Sequence, residues 1–94
     1  MEQQKRFLVE WYRPELTVPP CERSATALCA SAARLVVQGV SVRLESMLAV
    51  PADEALFGIF SAESVEAVAM ACEGAGMPAQ RLTAATDIHL PPRA

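Results

Sequence analysis

Residues 40–60 read VSVRLESMLAVPADEALFGIF. Val40, Val42, Leu44, Leu48 and Val50 share one parity, and Ser41, Arg43, Glu45 and Met47 share the other. That period of two predicts a half-buried strand from Val40 to Val50. Pro51-Ala52-Asp53-Glu54 is turn chemistry, and Ala55 to Phe60 reads as a further short strand. The two runs lie close enough in sequence to form an antiparallel hairpin.

Both flanks of this hairpin carry helical spacing. Upstream, Ala25, Leu28, Cys29, Ala32, Leu35 and Val36 recur at the i, i+3, i+4, i+7 interval of an apolar helix stripe. Thr17 suits an N-cap, and Pro19 and Pro20 are tolerated in the first turn, where the N–H groups have no helical partner. Gly39 is a natural stop. Downstream, Ser61 can cap a second helix with Glu63 in its first turn, and Val65, Val68, Ala69 and Cys72 form its stripe. Gly74 and Gly76 end it, and Pro78 prevents continuation. Each helix is expected to run about four turns.

Further out, Lys5 to Arg13 (KRFLVEWYR) is rich in aromatic and branched residues, which predicts a first strand. Phe7, Val9 and Trp11 fall on one face, and Leu8, Glu10 and Tyr12 on the other. Pro14-Glu15-Leu16 breaks it. Arg81 to Leu90 reads as a fourth strand, with Leu82, Ala84, Thr86 and Ile88 on one parity, before the tail Pro91-Pro92-Arg93-Ala94. The order β-α-β-β-α-β is that of the ferredoxin-like split β-α-β unit, an α+β fold with a four-stranded antiparallel sheet and two helices on one face. The expectation is one domain over residues 1–94, with its core at about 5–90.

A helix-free sheet face on a monomer should be polar. Here it is expected to hold Leu8, Tyr12 and Met47 beside Glu10, Arg43 and Glu45. Such a mixed face suits packing against a second copy, giving a homodimer of the dimeric α+β barrel kind.

Composition narrows the function classes. Apolar residues make up 52% and charged ones 20%, which excludes a disordered chain. The net charge of −3 and the scattered basic residues argue against nucleic acid as a partner. No apolar run reaches the roughly 20 residues of a membrane span, and no signal-peptide pattern follows the N-terminus. Cys21, Cys29 and Cys72 form no close pair, so all three are read as reduced thiols of a cytoplasmic protein.

Four segments together resemble one family. They are Lys5-Arg6-Phe7-Leu8-Val9-Glu10, Gly39-Val40, Ser61-Ala62-Glu63-Ser64-Val65-Glu66-Ala67-Val68 and Cys72-Glu73-Gly74-Ala75-Gly76-Met77-Pro78. The family is a small domain of unknown function that includes a nickel-binding, ferredoxin-like dimer, and the resemblance covers about residues 5–88. It implies the same fold, a homodimer, and nickel or another divalent metal as the cofactor to test. The family's histidines do not all carry over. Glu10 stands where the nickel-binding relative has a first-strand histidine, and Cys72-Glu73-Gly74-Ala75-Gly76 stands where the family often reads His-Glu-Arg-Ala-Gly.

Two sets of candidate residues follow. Glu10, Tyr12, Arg43 and Glu45 are expected together on the helix-free face, where a carboxylate beside a phenol and a guanidinium can orient a polar ligand, do acid–base work, or form an interface salt-bridge cluster. Asp87 and His89 alternate on the last strand, where a carboxylate beside an imidazole can complete a metal site. No nucleophile–base order, HExxH or CxxC pair is present, so catalytic residues are not assigned. Two readings of function remain. One is a binding or regulatory module holding a small ligand or metal ion. The other is a small dimeric enzyme of the isomerase or cofactor-free oxygenase type, which rests on fold analogy.

Overall fold

The computed structural model of the protein describes residues 4–13 and 18–93. The expected strand break at Pro14-Glu15-Leu16 and the expected cap at Thr17 lie outside them. The elements are β1 (Lys5–Tyr12), α1 (Val18–Val37), β2 (Val42–Val50), β3 (Ala55–Ala62), α2 (Val65–Gly74) and β4 (Arg81–Ala85). They form one antiparallel sheet in the order β2-β3-β1-β4, with a short 3-10 turn, Pro51–Asp53, between β2 and β3. Both halves of the split β-α-β unit are therefore present, with β1 and β3 central and β2 and β4 at the edges.

The core lies between the sheet and the two helices. Phe7, Val9 and Trp11 of β1, Leu56 and Phe60 of β3, Leu28, Ala32 and Leu35 of α1, and Val68, Ala71 and Cys72 of α2 are all buried. Trp11 anchors this layer: its ring is buried and its Nε1 donates to the carbonyl of Met77 at 2.9 Å. Gly58 lies beneath that ring, and a Cβ there would stand 3.2 Å from it. The pairing Val9↔Gly58 puts this glycine on the helix-facing side, so it is the gap into which the indole fits.

Both helices end in the same hydrogen-bond motif. After α1, Val40 N–H reaches Leu35 O at 2.9 Å and Gly39 N–H reaches Val36 O at 3.0 Å. After α2, Met77 N–H reaches Cys72 O at 2.9 Å and Gly76 N–H reaches Glu73 O at 3.0 Å. Gly39 and Gly76 hold φ of +91° and +73°, the left-handed turn that glycine adopts without a Cβ clash.

Several elements depart from the sequence expectation. The hairpin partner β3 runs on to Ala62, so Ser64 rather than Ser61 caps α2, accepting from Ala67 N–H at 3.1 Å. The helices are unequal: α1 has 20 residues and α2 only 10. Cys29 was expected on the buried stripe of α1 but is exposed, as is Val36; the buried stripe instead runs Cys21, Leu28, Ser31, Ala32, Leu35. The last strand stops at Ala85, because β1 supplies partners only from Arg6 to Glu10.

The largest correction concerns parity in β2. The register passes from Leu44↔Phe60 directly to Ser46↔Ile59, leaving Glu45 as a bulge. An extra residue reverses which side every later side chain faces. Met47 and Ala49 therefore pack on the core, while Leu48, 66% exposed, stands on the helix-free face.

Candidate functional site

The helix-free face is read from the register. Arg6, Leu8, Glu10 and Tyr12 of β1 lie on it, facing Ser61, Ile59, Phe57 and Ala55 of β3. On its flanks are Arg43, Ser46 and Leu48 of β2 and Arg81 and Thr83 of β4. Its middle is apolar, with Leu8, Ile59 and Phe57 partly buried, and among the described residues neither helix lies on this side. Its two ends are polar.

The four residues expected to share one cluster divide between those ends. At one end, Glu10 is only 8% exposed, although no helix covers it. Tyr12 covers it instead, donating its hydroxyl hydrogen to Glu10 Oε1. Arg81, the cross-strand partner of Glu10, brings its Nε to 3.6 Å from Oε2. The hydrogen bond to Glu10 pushes the Tyr12 phenol above its usual range, with desolvation and the Glu10 charge adding to it and Arg81 opposing.

At the other end, Glu45 gathers the polar groups. Its Oε2 accepts from Ser61 Oγ at 2.6 Å and from the Arg43 fork at 2.9 and 3.1 Å, and lies 3.3 Å from Arg6 Nη1. The Ser61 hydrogen bond, then that of Arg43, hold the Glu45 carboxyl below the usual range against the opposing effect of burial. Arg6 also donates through Nε to Asp87 at 3.0 Å, the largest of the contacts that raise its pKa. Glu45 shares this face with Arg43, its neighbour two residues earlier, and with Ser61, the cross-strand partner of Arg43. Some four residues of β1 separate Arg6 from Glu10, about 13 Å at strand rise. The two clusters thus act separately.

A groove of about 700 Å³ opens beside the Glu45 cluster, along the free edge of β2. Cys29, Ala32, Ala33 and Val36 of α1 form its apolar wall. Arg6, Arg43, Glu45, Ser61 and Asp87 form its polar one. Small side chains on α1 are what keep it open. Neither Arg6, Ser61 nor the groove could be assigned from sequence spacing alone, since Arg6 comes from β1, Ser61 from β3 and the wall from α1.

Asp87 and His89 do not share a strand face. Both lie beyond β4 in a stretch without regular structure; Asp87 turns to Arg6, and His89 is exposed. Among the described residues no group of three or more His, Cys, Asp or Glu side chains converges as metal donors. At the positions matching the nickel-binding relative, the Glu10 carboxylate is committed to Tyr12 and Arg81. The Cys72 thiol is pushed up to about 12 by burial and then by Glu73. A thiol held in its protonated form is a poor metal ligand. The described residues do not fit the nickel site that the resemblance implies.

The three cysteines are unpaired, and no helix is long and apolar enough to cross a membrane among the described residues.

No family model matches the chain, and no curated protein does. The fold is similar to the crystal structure of SCO4226 from Streptomyces coelicolor A3(2), with a TM-score of 0.68 and 23% sequence identity, over 95% of this chain and 99% of that one. Identity at this level speaks to the fold alone.

Proposed function

We propose that the protein is a homodimeric binding module of the cytoplasm, which holds a small organic ligand without transforming it. The ligand has an apolar body, held against Ala32, Ala33 and Val36, and a carboxylate-like head directed to Arg43. The observation that carries this reading is the groove itself: an open space of about 700 Å³ with an apolar helical wall facing a cluster of two guanidiniums and two carboxylates. Pockets for small molecules have this make-up, apolar walls with a few convergent polar groups. Arg43, with its side chain 76% exposed, has donors left over for an incoming acceptor.

Binding is favoured over catalysis by the sparse catalytic inventory: the sequence holds a single histidine, His89, which is exposed and does not line the groove.

The dimer reading rests on the helix-free face. Leu48 and Tyr12 are 66% and 48% exposed on it, around a partly buried strip of Leu8, Phe57 and Ile59. Strands of five to nine residues, four abreast, give a face at most about 25 Å long and 15–20 Å wide. Its flat area, about 400–500 Å², is roughly half the ~800 Å² per partner of a standard interface, which places such a dimer among the smaller ones. The three unpaired thiols suit a reducing compartment.

The test is ligand recovery. Protein purified without a tag or chelator, compared as wild type and Arg43→Ala by native mass spectrometry, should carry a reproducible small-molecule mass that the variant loses. A mass retained unchanged by Arg43→Ala and by a second groove variant, Ala33→Trp, would rule the groove out as the binding site.

A further inference from the structure

The polar wall of the groove carries charges of both signs in equal number. Arg6 and Arg43 are positive, and Glu45 and Asp87 are negative. A bare carboxylate entering the groove would leave one negative charge in excess. A ligand that brings its own positive charge keeps the balance, and the cluster holds an acceptor for it. Every contact of Glu45 falls on one oxygen, Oε2: Ser61 at 2.6 Å, the Arg43 fork at 2.9 and 3.1 Å, and Arg6 at 3.3 Å. Among the described residues none reaches Oε1. Glu45 lines the groove with its side chain 25% exposed, and its carboxyl titrates below the usual range, so it is ionised at neutral pH. An ionised carboxylate accepts at both oxygens, and Oε1 can therefore take an N–H from a ligand. Arg43 is in the matching condition. Its Nε and Nη2 are engaged by Glu45, while Nη1 has no partner among the described residues.

We propose that the ligand is an α-amino acid with a bulky apolar side chain, its carboxylate on Arg43 Nη1 and its ammonium on Glu45 Oε1. The proposal rests on the groove being the binding site and adds the class of ligand. An α-amino acid carries its two charged groups on one carbon. That suits a donor and an acceptor on two side chains already paired with each other. Asp87, the second carboxylate at the rim, adds to the attraction for an ammonium. The side chain of the ligand can then turn to the α1 wall. There Cys29, Ala32 and Ala33 are short, so the space of about 700 Å³ admits a group of aromatic size.

Isothermal titration calorimetry with three probes separates the two charges. Phenylalanine carries both, hydrocinnamate lacks the ammonium, and phenethylamine lacks the carboxylate. Wild type should bind phenylalanine about tenfold to a hundredfold more tightly than either, the range that one charge-assisted hydrogen bond implies. Glu45→Gln should remove the advantage over hydrocinnamate, and Arg43→Ala the advantage over phenethylamine. Hydrocinnamate bound by wild type as tightly as phenylalanine would overturn the amino-acid assignment and leave a carboxylate-binding groove standing. Phenethylamine bound as tightly would overturn both, since Arg43 would then hold no carboxylate. Phenylalanine binding unchanged by Ala33→Trp would place it outside the groove and overturn the assignment. Binding of none of the three would overturn it too, and the mass recovered with the untagged protein would still decide the groove on its own.

Discussion

Glu10 and Trp11 are adjacent in β1 and point to opposite sides of the sheet. Trp11 locks the core side: its Nε1 is tied to Met77 O and its ring rests over Gly58, so it has no room to retreat. Gly58→Ala should therefore cost about 1–2 kcal/mol, the usual size of overpacking, read as a lower urea midpoint by the fluorescence of this single tryptophan. Glu10 governs the other side through Tyr12. Because the folded state holds the phenolic proton more tightly than the unfolded chain, this contact stabilises fully below the ordinary phenol pKa of about 10. It is lost as pH rises through the raised folded value. Tyr12 is the single tyrosine, so an ultraviolet titration reads it alone. The midpoint should lie above that of free tyrosine and fall in Glu10→Gln. An unmoved midpoint would mean the hydrogen bond is not formed in solution.

At the scale of elements, the order of strands and helices was legible because each signal is local: alternation in residues 40–50, helical spacing in 25–36, and glycine or proline at the ends. What was not legible depends on a neighbour. The bulge at Glu45 is a property of β2 paired with β3, and no spacing within β2 reveals it; Met47 and Leu48 change sides as a result. The four-residue cluster was half right in the same way. Its members share a face, as alternation in β1 and the first part of β2 implied, but register places Arg43 opposite Ser61 and Glu10 opposite Phe57, at different ends. Asp87 and His89 lie beyond the end of β4, so alternation does not decide where they face.

The Glu45 cluster also makes a testable claim about acid stability. Glu45 has a depressed folded pKa, so its contribution is present above the ordinary carboxylate range and is lost as pH falls through the folded value. Wild type should lose urea resistance progressively on acidification in that window, and Glu45→Gln should be less stable at neutral pH with a flatter acid limb. Parallel acid limbs for the two proteins would show that the Ser61, Arg43 and Arg6 contacts add nothing to folding.

For the molecule as a whole, one side of the sheet is sealed by two helices and the other is half apolar, with no helix over it among the described residues. Ile59 lies near the middle of that open side, where a long charged side chain can extend into water in a monomer but not between two sheets. Ile59→Arg should stay folded by circular dichroism and sediment at half the mass of wild type. Retention of the wild-type mass would put the contact elsewhere on the surface. The most direct test of the central claim, a dimer holding a small molecule beside Arg43 and Glu45, is the native mass of the untagged wild-type protein. The account predicts twice the chain mass plus a reproducible small-molecule increment; a bare monomer at every concentration would contradict it.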